Sequence, residues 1–440
     1  MEKQYQCIIM GAAGRDFHVY LSFLRNNPHF HVCAFTATQI PFITERGFPQ
    51  SLAGPDYAED IPIYDESELV DLIRKYDVDF VFFAYSDVPH AYIMHKASLV
   101  QAAGASFAML GLDHTQLASS KPVVSITATR TGAGKSPLTQ WLARYLTDAG
   151  KRVAVIRHPM PYGNLELQAV QRFATPADLD RHECTIEERE EYEPYVDMGI
   201  PIYAGVDYQG ILDESSKEAD IVLWDGGNND FSFLAADLNI VVSDALRAGH
   251  GITYYPGETN FRCADILVIN KVSGARAEDV ATIINLHTRL NPEARILCAD
   301  LEVTVDRPQE LEGKRVLIVE DGPTVTHGGM GYGAGWVAAE QFGVAEIIDP
   351  RPSAVGSIAA TLDRFPHLRR VLPAMGYSDA QVAELKTTIE ASGADVVLNA
   401  SPSDVGALLQ LSLPVVRVRY RFTPHEGVDL LAAVAELAAP

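Results

Sequence analysis

The nine residues Ala128-Thr129-Arg130-Thr131-Gly132-Ala133-Gly134-Lys135-Ser136 decide how this chain is read. An apolar, β-like run from Val123 to Thr127 leads into them. An amphipathic helical pattern follows, carried by Leu138, Trp141, Leu142, Tyr145 and Leu146. Strand, glycine loop and helix in that order predict a phosphate-binding loop. Gly132 and Gly134 allow backbone N–H groups to turn inward around phosphate oxygens. The expected nucleotide contacts are Thr131, Gly132, Ala133, Gly134, Lys135 and Ser136. Lys135 is placed to reach the β- and γ-phosphates, and Ser136 to offer its hydroxyl to Mg²⁺. Pro137 suits a first helical turn and Gly150 a helix end. The chemistry implied is phosphoryl transfer from a nucleoside triphosphate with magnesium.

The usual GxxxxGK[ST] spacing would put glycine at Thr129. The departure resembles the variant loop of the SIMIBI class, which includes dethiobiotin synthetases and metallochaperone GTPases. Magnesium needs a second, acidic position. Asp225 ends the apolar run Ile221-Val222-Leu223-Trp224 and precedes Gly226-Gly227. A carboxylate there fits a Walker-B role, direct or through water. Asn228, Asn229 and Asp230 extend this polar loop. Glu258, in YYPGETN, is a further magnesium or base candidate. Asn270-Lys271 follows the strand pattern Ile266 to Ile269 and resembles the base-reading NKxD element of GTPases; an ordinary strand boundary is the alternative. The fourth position is Ser273, so the carboxylate that holds guanine is missing, which favours ATP over GTP.

The chain has 440 residues, 47% hydrophobic and 21% charged, so two or three folded domains are expected. No segment approaches an uncharged apolar span of about 20 residues, so a membrane span is not expected. The start, MEKQYQCIIMGAAG, lacks the apolar core and cleavage site of a signal peptide, and a cytoplasmic location is expected. Cys7, Cys33, Cys184, Cys263 and Cys298 are scattered without a CxxC pair, which argues for reduced thiols and against a zinc or iron–sulfur site. A formal charge of −23 disfavours nucleic acid and anionic membranes as partners.

Short apolar strands alternate with helical patterns throughout. The expected fold class is α/β, with three doubly wound segments. Residues 1–120 read as a Rossmann-like domain, with strands QCIIM, HVCAFT, DFVFFA and SFAML. Residues 121–308 read as the P-loop domain, with VVSITA, RVAVIR, DIVLWDG, LNIVVS, ILVINK and ARILCA. Residues 309–440 read as a C-terminal α/β domain, with RVLIVEDG, AEIID, RRVLPAM, DVVLNAS and VVRVRY.

Basic residues gather after the P-loop-domain strands, where open sheets bind ligands. Arg130 lies in the phosphate loop. Arg157 and His158 open RHPMPYG, Arg247 and His250 lie in DALRAGHG, and Arg262 and Lys271 follow. Together they suggest a polyanionic acceptor held by arginine forks. The expected catalytic set is Lys135, Asp225, Arg130, Arg157 and His158. Two further glycine loops stand outside this domain. IIMGAAGRDFH, with Gly11, Gly14 and Arg15, reads as a tight turn or as an anion subsite using Arg15. EDGPTVTHGGMGYGAG reads as a closing loop, in which His327 binds phosphate, shuttles a proton or caps a turn.

The ordered set GAAGRDFH, TATRTGAGKS, RHPMPYG, WDGGNND, INK, EDGPTVTHGG and VRVRYRFTPH resembles the cyclic 2,3-diphosphoglycerate synthetase family over nearly the whole chain. The resemblance implies an ATP- and Mg²⁺-dependent ligase. It would phosphorylate one phosphate of 2,3-diphosphoglycerate and let the neighbouring phosphate displace inorganic phosphate, closing a cyclic anhydride. It assigns Gly132, Gly134, Lys135 and Ser136 to nucleotide phosphate and Asp225 to magnesium. The alternatives are a SIMIBI-type GTPase or another small-molecule kinase or ligase. Analogy with SIMIBI relatives implies a homodimer.

Overall fold

Two β-sheets organise the chain. The structure is a computed structural model and describes residues 3–12, 14–38, 47–158, 163–227, 229–326, 328–376, 378–426 and 429–438. The first sheet has six strands, in the order Gly47–Phe48, Ile61–Asp65, Phe30–Ala37, Tyr5–Met10, Phe80–Phe83 and Ser106–Ala108. All pairs are parallel except Gly47–Phe48 with Ile61–Asp65. Apolar clusters cover both faces, one around Phe17, Tyr20, Phe35 and Phe48, the other around Leu69, Leu72, Ile93 and Val100. Burial on both faces explains why these strands read as continuous apolar runs.

The second sheet has thirteen strands. Val123–Ala128 lies between Ile221–Asp225 and Leu238–Asp244, with Val153–Arg157 and Ile266–Asn270 outside them, all parallel. The carboxyl ends of these five strands therefore share one edge. Ala128, Arg157, Asp225, Asp244 and Asn270 stand there, where doubly wound sheets place their ligands.

Arg295–Val305 is eleven residues long and changes partner halfway. Residues 295–298 pair in parallel with Ile266–Ile269; residues 299–305 pair antiparallel with Val418–Pro424. The strand Val415–Pro424 continues through Val396–Asn399 to Arg315–Glu320, all parallel again. The second and third segments of the sequence thus share one sheet. The residues explain the join: Val416, Val418 and Phe422 are buried while Arg419 and Arg421 are exposed, the alternation of an antiparallel strand with one wet face.

The helix Lys135–Asp148 packs beneath this join, with the rings of Trp141 and Phe422 5.3 Å apart. Leu138, Leu142 and Leu146 are buried on it. Each contributes roughly 1.5–3 kcal/mol, enough to hold the helix although its first residue is a buried lysine. Short strands such as Gln171–Phe173 and Ile202–Ala204 extend the sheet at its far edge. Three residues are too few for a period of two to be read from sequence. Among the described residues no helix is long and apolar enough to cross a membrane.

Candidate functional site

Gly134 caps the helix Lys135–Asp148 with φ of 108°, and a Cβ there would lie 2.2 Å from Asn270 Nδ2. Only glycine fits that close, left-handed position. The loop is braced from behind. Arg247 Nη2 donates to the Thr131 carbonyl at 2.8 Å, Lys271 Nζ to that of Gly132 at 2.7 Å, and Asn270 Nδ2 to that of Ala133 at 2.9 Å. Asp244 pairs with Arg247 and Lys271, each at 2.9 Å. Asn270 and Lys271 thus fix the peptide planes of the phosphate loop. At the next turn Ser273 donates to Asp300, which also meets His425 at 2.8 Å. Asp300, on the neighbouring strand, is thus taken up by Ser273 and His425.

Lys135 is 7% exposed. Burial, with Arg157 nearby, lowers its pKa to about 8 against the pull of Asp225, Asp87 and Glu191. Among the described residues no carboxylate forms an ion pair with it. Asp225 is fully buried at the end of its strand. It accepts from Tyr195 at 2.7 Å, Thr139 at 3.3 Å and Ser136 at 3.4 Å, and pairs with Arg157 at 2.6 Å. Arg157 also donates to Ser136 Oγ at 3.0 Å and pairs with Glu191. A hydroxyl and a carboxylate one cation apart are the hard oxygens Mg²⁺ prefers. Here the Arg157 guanidinium bridges them. Among the described residues no group of three or more His, Cys, Asp or Glu can hold a metal. A magnesium ion would therefore rest on Ser136, Asp225 and nucleotide oxygens.

The other expected cations are brought to the loop but arrive paired. Arg130 donates to Asp87 Oδ1 at 2.7 Å, to His250 Nδ1 at 2.7 Å, and lies 3.6 Å over the Tyr254 ring. Burial, with Arg130 and Arg247 beside it, drops the His250 pKa to about 4, so this imidazole is neutral at pH 7. Arg15 meets Asp230 at 3.7 Å and lies over Phe231 and Tyr255. His158 Nε2 meets Asp230 at 2.9 Å. A Cβ on Gly14 would strike the His158 ring at 2.3 Å. The first glycine loop is thus cut away to seat that imidazole. Glu258 pairs with Arg262 at 2.6 Å and faces His90 at 3.6 Å; among the described residues it has no contact with Ser136 or Asp225. His327 and Asn228 lie outside the described residues. Gly328, next in sequence to His327, accepts from Arg130 and Arg247, so the third segment reaches over the phosphate loop.

Sequence reading passed over Asp87, Tyr195, Glu190, Glu191 and Asp321. The helix Ile186–Asp197, IEEREEYEPYVD, looks like a solvated acidic face. In the fold its Glu187, Glu188 and Glu190 are buried. Tyr195 reaches Asp225, and Glu191, one turn earlier on the same face, meets Arg157. That four-residue spacing was the available signal.

No family model matches the chain. It is 54% identical over 419 residues to the arginine synthetase ArcE of Thermococcus kodakarensis, covering 95% of this chain and 94% of that relative. The chain belongs to the cyclic 2,3-diphosphoglycerate synthetase family. It is accordingly an enzyme, an ATP-dependent synthetase of the ligase and phosphoryl-transfer class. A tetraacyldisaccharide 4'-kinase of Geobacter sulfurreducens is 30% identical over 178 residues, 37% of this chain and 48% of that one. Among solved structures, LpxK from Aquifex aeolicus in complex with ATP overlays with a TM-score of 0.46 at 14% identity, covering 79% of this chain and 96% of that one.

In this family member the depressed lysine gives a pH signature. Below pH 8 Lys135 is charged in the free protein; above it the proton is lost. A bound triphosphate favours the charged form, so binding above pH 8 must take up a proton and weaken as pH rises. Calorimetry of Mg-ATP binding at about pH 8.5, in buffers of different ionisation enthalpy, is expected to show that uptake. Lys135→Ala should remove it. Uptake that survives the substitution would assign the proton to another group.

Proposed function

We propose that the chain is an ATP- and Mg²⁺-dependent arginine synthetase. The observation that carries this reading is the 54% identity over 95% of the chain to an arginine synthetase. Forming arginine in an ATP-dependent step calls for its ureido counterpart, citrulline, whose carbonyl oxygen is a poor leaving group. The γ-phosphoryl group passes to that oxygen and ADP is released. Ammonia then attacks the carbon, the C–O bond breaks and inorganic phosphate leaves. Lys135 and the loop amides stabilise charge on the transferring phosphoryl group. Magnesium, when bound at Ser136 and Asp225, would supply further charge neutralisation.

The pairing of the site supports an acceptor of low charge. Arg15, Arg130, Arg157, Arg247 and Lys271 each already face a carboxylate. A zwitterionic ureido acid asks for few extra cations, whereas a diphosphate asks for many. The activated intermediate must be kept from water. Thr324 lies 3.1 Å from where a Gly132 Cβ would stand, and Gly328 is tied to Arg130 and Arg247, which supports closure by the third segment.

Cyclisation of 2,3-diphosphoglycerate is the second reading, favoured by family membership. It shares the first half of the chemistry, activation of an oxygen by phosphorylation followed by loss of phosphate. Phosphorus and nitrogen NMR separate the two. Enzyme with Mg-ATP, citrulline and ¹⁵N-ammonium is expected to give labelled arginine, ADP and phosphate. A cyclic anhydride signal formed only from 2,3-diphosphoglycerate, with no labelled arginine, would overturn the first reading in favour of the second.

A further inference from the structure

The first segment is fastened beside the phosphate loop by a short ribbon. In its sheet Tyr5–Met10 lies between Phe30–Ala37 and Phe80–Phe83. The carboxyl ends of Tyr5–Met10 and Phe80–Phe83 therefore form a topological switch point, where such sheets hold ligands. The chain leaving Phe80–Phe83 reaches Asp87 with φ of 55°, a left-handed conformation that aspartate and asparagine tolerate. The next residues, Val88–Pro89, pair antiparallel with Tyr254–Tyr255 of the P-loop domain, and His90 N donates to the Thr253 carbonyl at 3.0 Å. This ribbon sets the Asp87 carboxylate against the phosphate loop. Its Oδ1 accepts from Arg130 Nε at 2.7 Å, and its Oδ2 accepts from the Thr131 amide at 3.4 Å.

The remainder of the Arg130 guanidinium is held by the other two segments. Its Cζ lies 3.6 Å from the centre of the Tyr254 ring, and the His250 ring stacks on Tyr254 at 4.8 Å. Nη1 donates to His250 Nδ1 at 2.7 Å and Nη2 to the Gly328 carbonyl at 3.4 Å. These contacts use one N–H on each guanidinium nitrogen and leave a second on both terminal nitrogens. We propose that Asp87 is a positioning residue for phosphoryl transfer. It holds the Arg130 fork beside the phosphate loop, so that the remaining terminal N–H groups meet the phosphoryl group as it passes. The proposal rests on ATP-dependent phosphoryl transfer alone and holds for either acceptor. A donor fixed beforehand needs no reorganisation when charge moves in the transition state. Ion pairing through Nε leaves the terminal nitrogens to do this. The first segment thereby takes part in the chemistry, through a carboxylate that touches no substrate.

The test is a double-mutant cycle on ADP release, with Asp87→Asn, Arg130→Gln and both together. Asparagine keeps the shape and the left-handed backbone but loses the charge. In Asp87→Asn, kcat is expected to fall about 10- to 100-fold, as for loss of one charged hydrogen bond. KM for ATP should stay nearly unchanged, because the fork acts in the transition state. In the Arg130→Gln background the same change should cost almost nothing, since Asp87 acts through Arg130. Losses that multiply in the double variant would overturn the proposal, and so would a rise in KM as large as the fall in kcat. Tighter ATP binding with faster turnover in Asp87→Asn would also overturn it, by making the carboxylate a plug on the Thr131 amide. Should Asp87→Asn alone fail to fold, the double variant still decides. It strands no charge, and its rate must match that of Arg130→Gln. ADP release is read with whichever acceptor turns over, so failure of the cycle leaves both readings of the acceptor standing.

Discussion

Lys135→Ala is expected to lower kcat/KM by about 10²- to 10³-fold, with the fold intact. The size follows from removing one preorganised cation from the path of the phosphoryl group, about 3–4 kcal/mol of transition-state stabilisation. The intact fold follows from the pairing. Lys135 is the cation at this edge with no ion-paired carboxylate among the described residues, and burial already disfavours its charge. Truncation therefore leaves no orphaned partner. Arg157→Ala would be a poorer probe, because it strands Asp225 and Glu191, and breaking a buried pair costs about 3–5 kcal/mol. ADP release under saturating Mg²⁺ and a thermal melt of the free protein measure the two effects separately. Activity within tenfold of wild type would remove Lys135 from the chemistry. A collapse in stability would make it a structural residue.

The phosphate loop was legible because its requirements are local. The φ of Gly134, the strand before it and the helix after it lie within one short stretch of sequence. Asp225 was legible for the same reason, as the end of an apolar run. The parallel α/β class followed from strands buried on both faces. The shared sheet was not legible, because one strand, Arg295–Val305, serves both segments and only its pairing shows it. The basic residues were read, as a cluster, as holding a polyanionic acceptor. In the fold Arg247 and Arg262 pair within one helical turn with Asp244 and Glu258, while others find a carboxylate from a distant segment, Asp87 for Arg130, Glu191 for Arg157 and Asp244 for Lys271. Periodicity cannot report such pairs, since sequence separation carries no information about which charges meet. The same limit hid Glu190, on a helix whose acidity suggests solvent.

Asp225→Asn is expected to cut turnover by about 10²- to 10³-fold and to shift magnesium saturation to higher concentration. Asp225 joins Ser136, Thr139, Tyr195 and Arg157 at one buried point. An amide keeps the shape but not the charge. One of its sides becomes a donor, facing either Tyr195 and Arg157, which both donate to Oδ2, or the Ser136 and Thr139 hydroxyls at Oδ1. Glu191 still balances Arg157, so the stability loss should fall below the 3–5 kcal/mol or so of a fully broken buried pair. Urea unfolding of the free protein measures that part. Magnesium titration of ADP release measures the other. The two results decide between roles that the geometry superimposes. If stability falls while magnesium dependence stays fixed, Asp225 serves as the counter-ion of Arg157 and the metal rests on Ser136 and the nucleotide. If magnesium dependence shifts, the carboxylate must exchange Arg157 for the metal when nucleotide binds. The released guanidinium would then be free to meet the phosphoryl group, and Arg157→Lys, which keeps charge but not the fork, should slow turnover more than it weakens ATP binding.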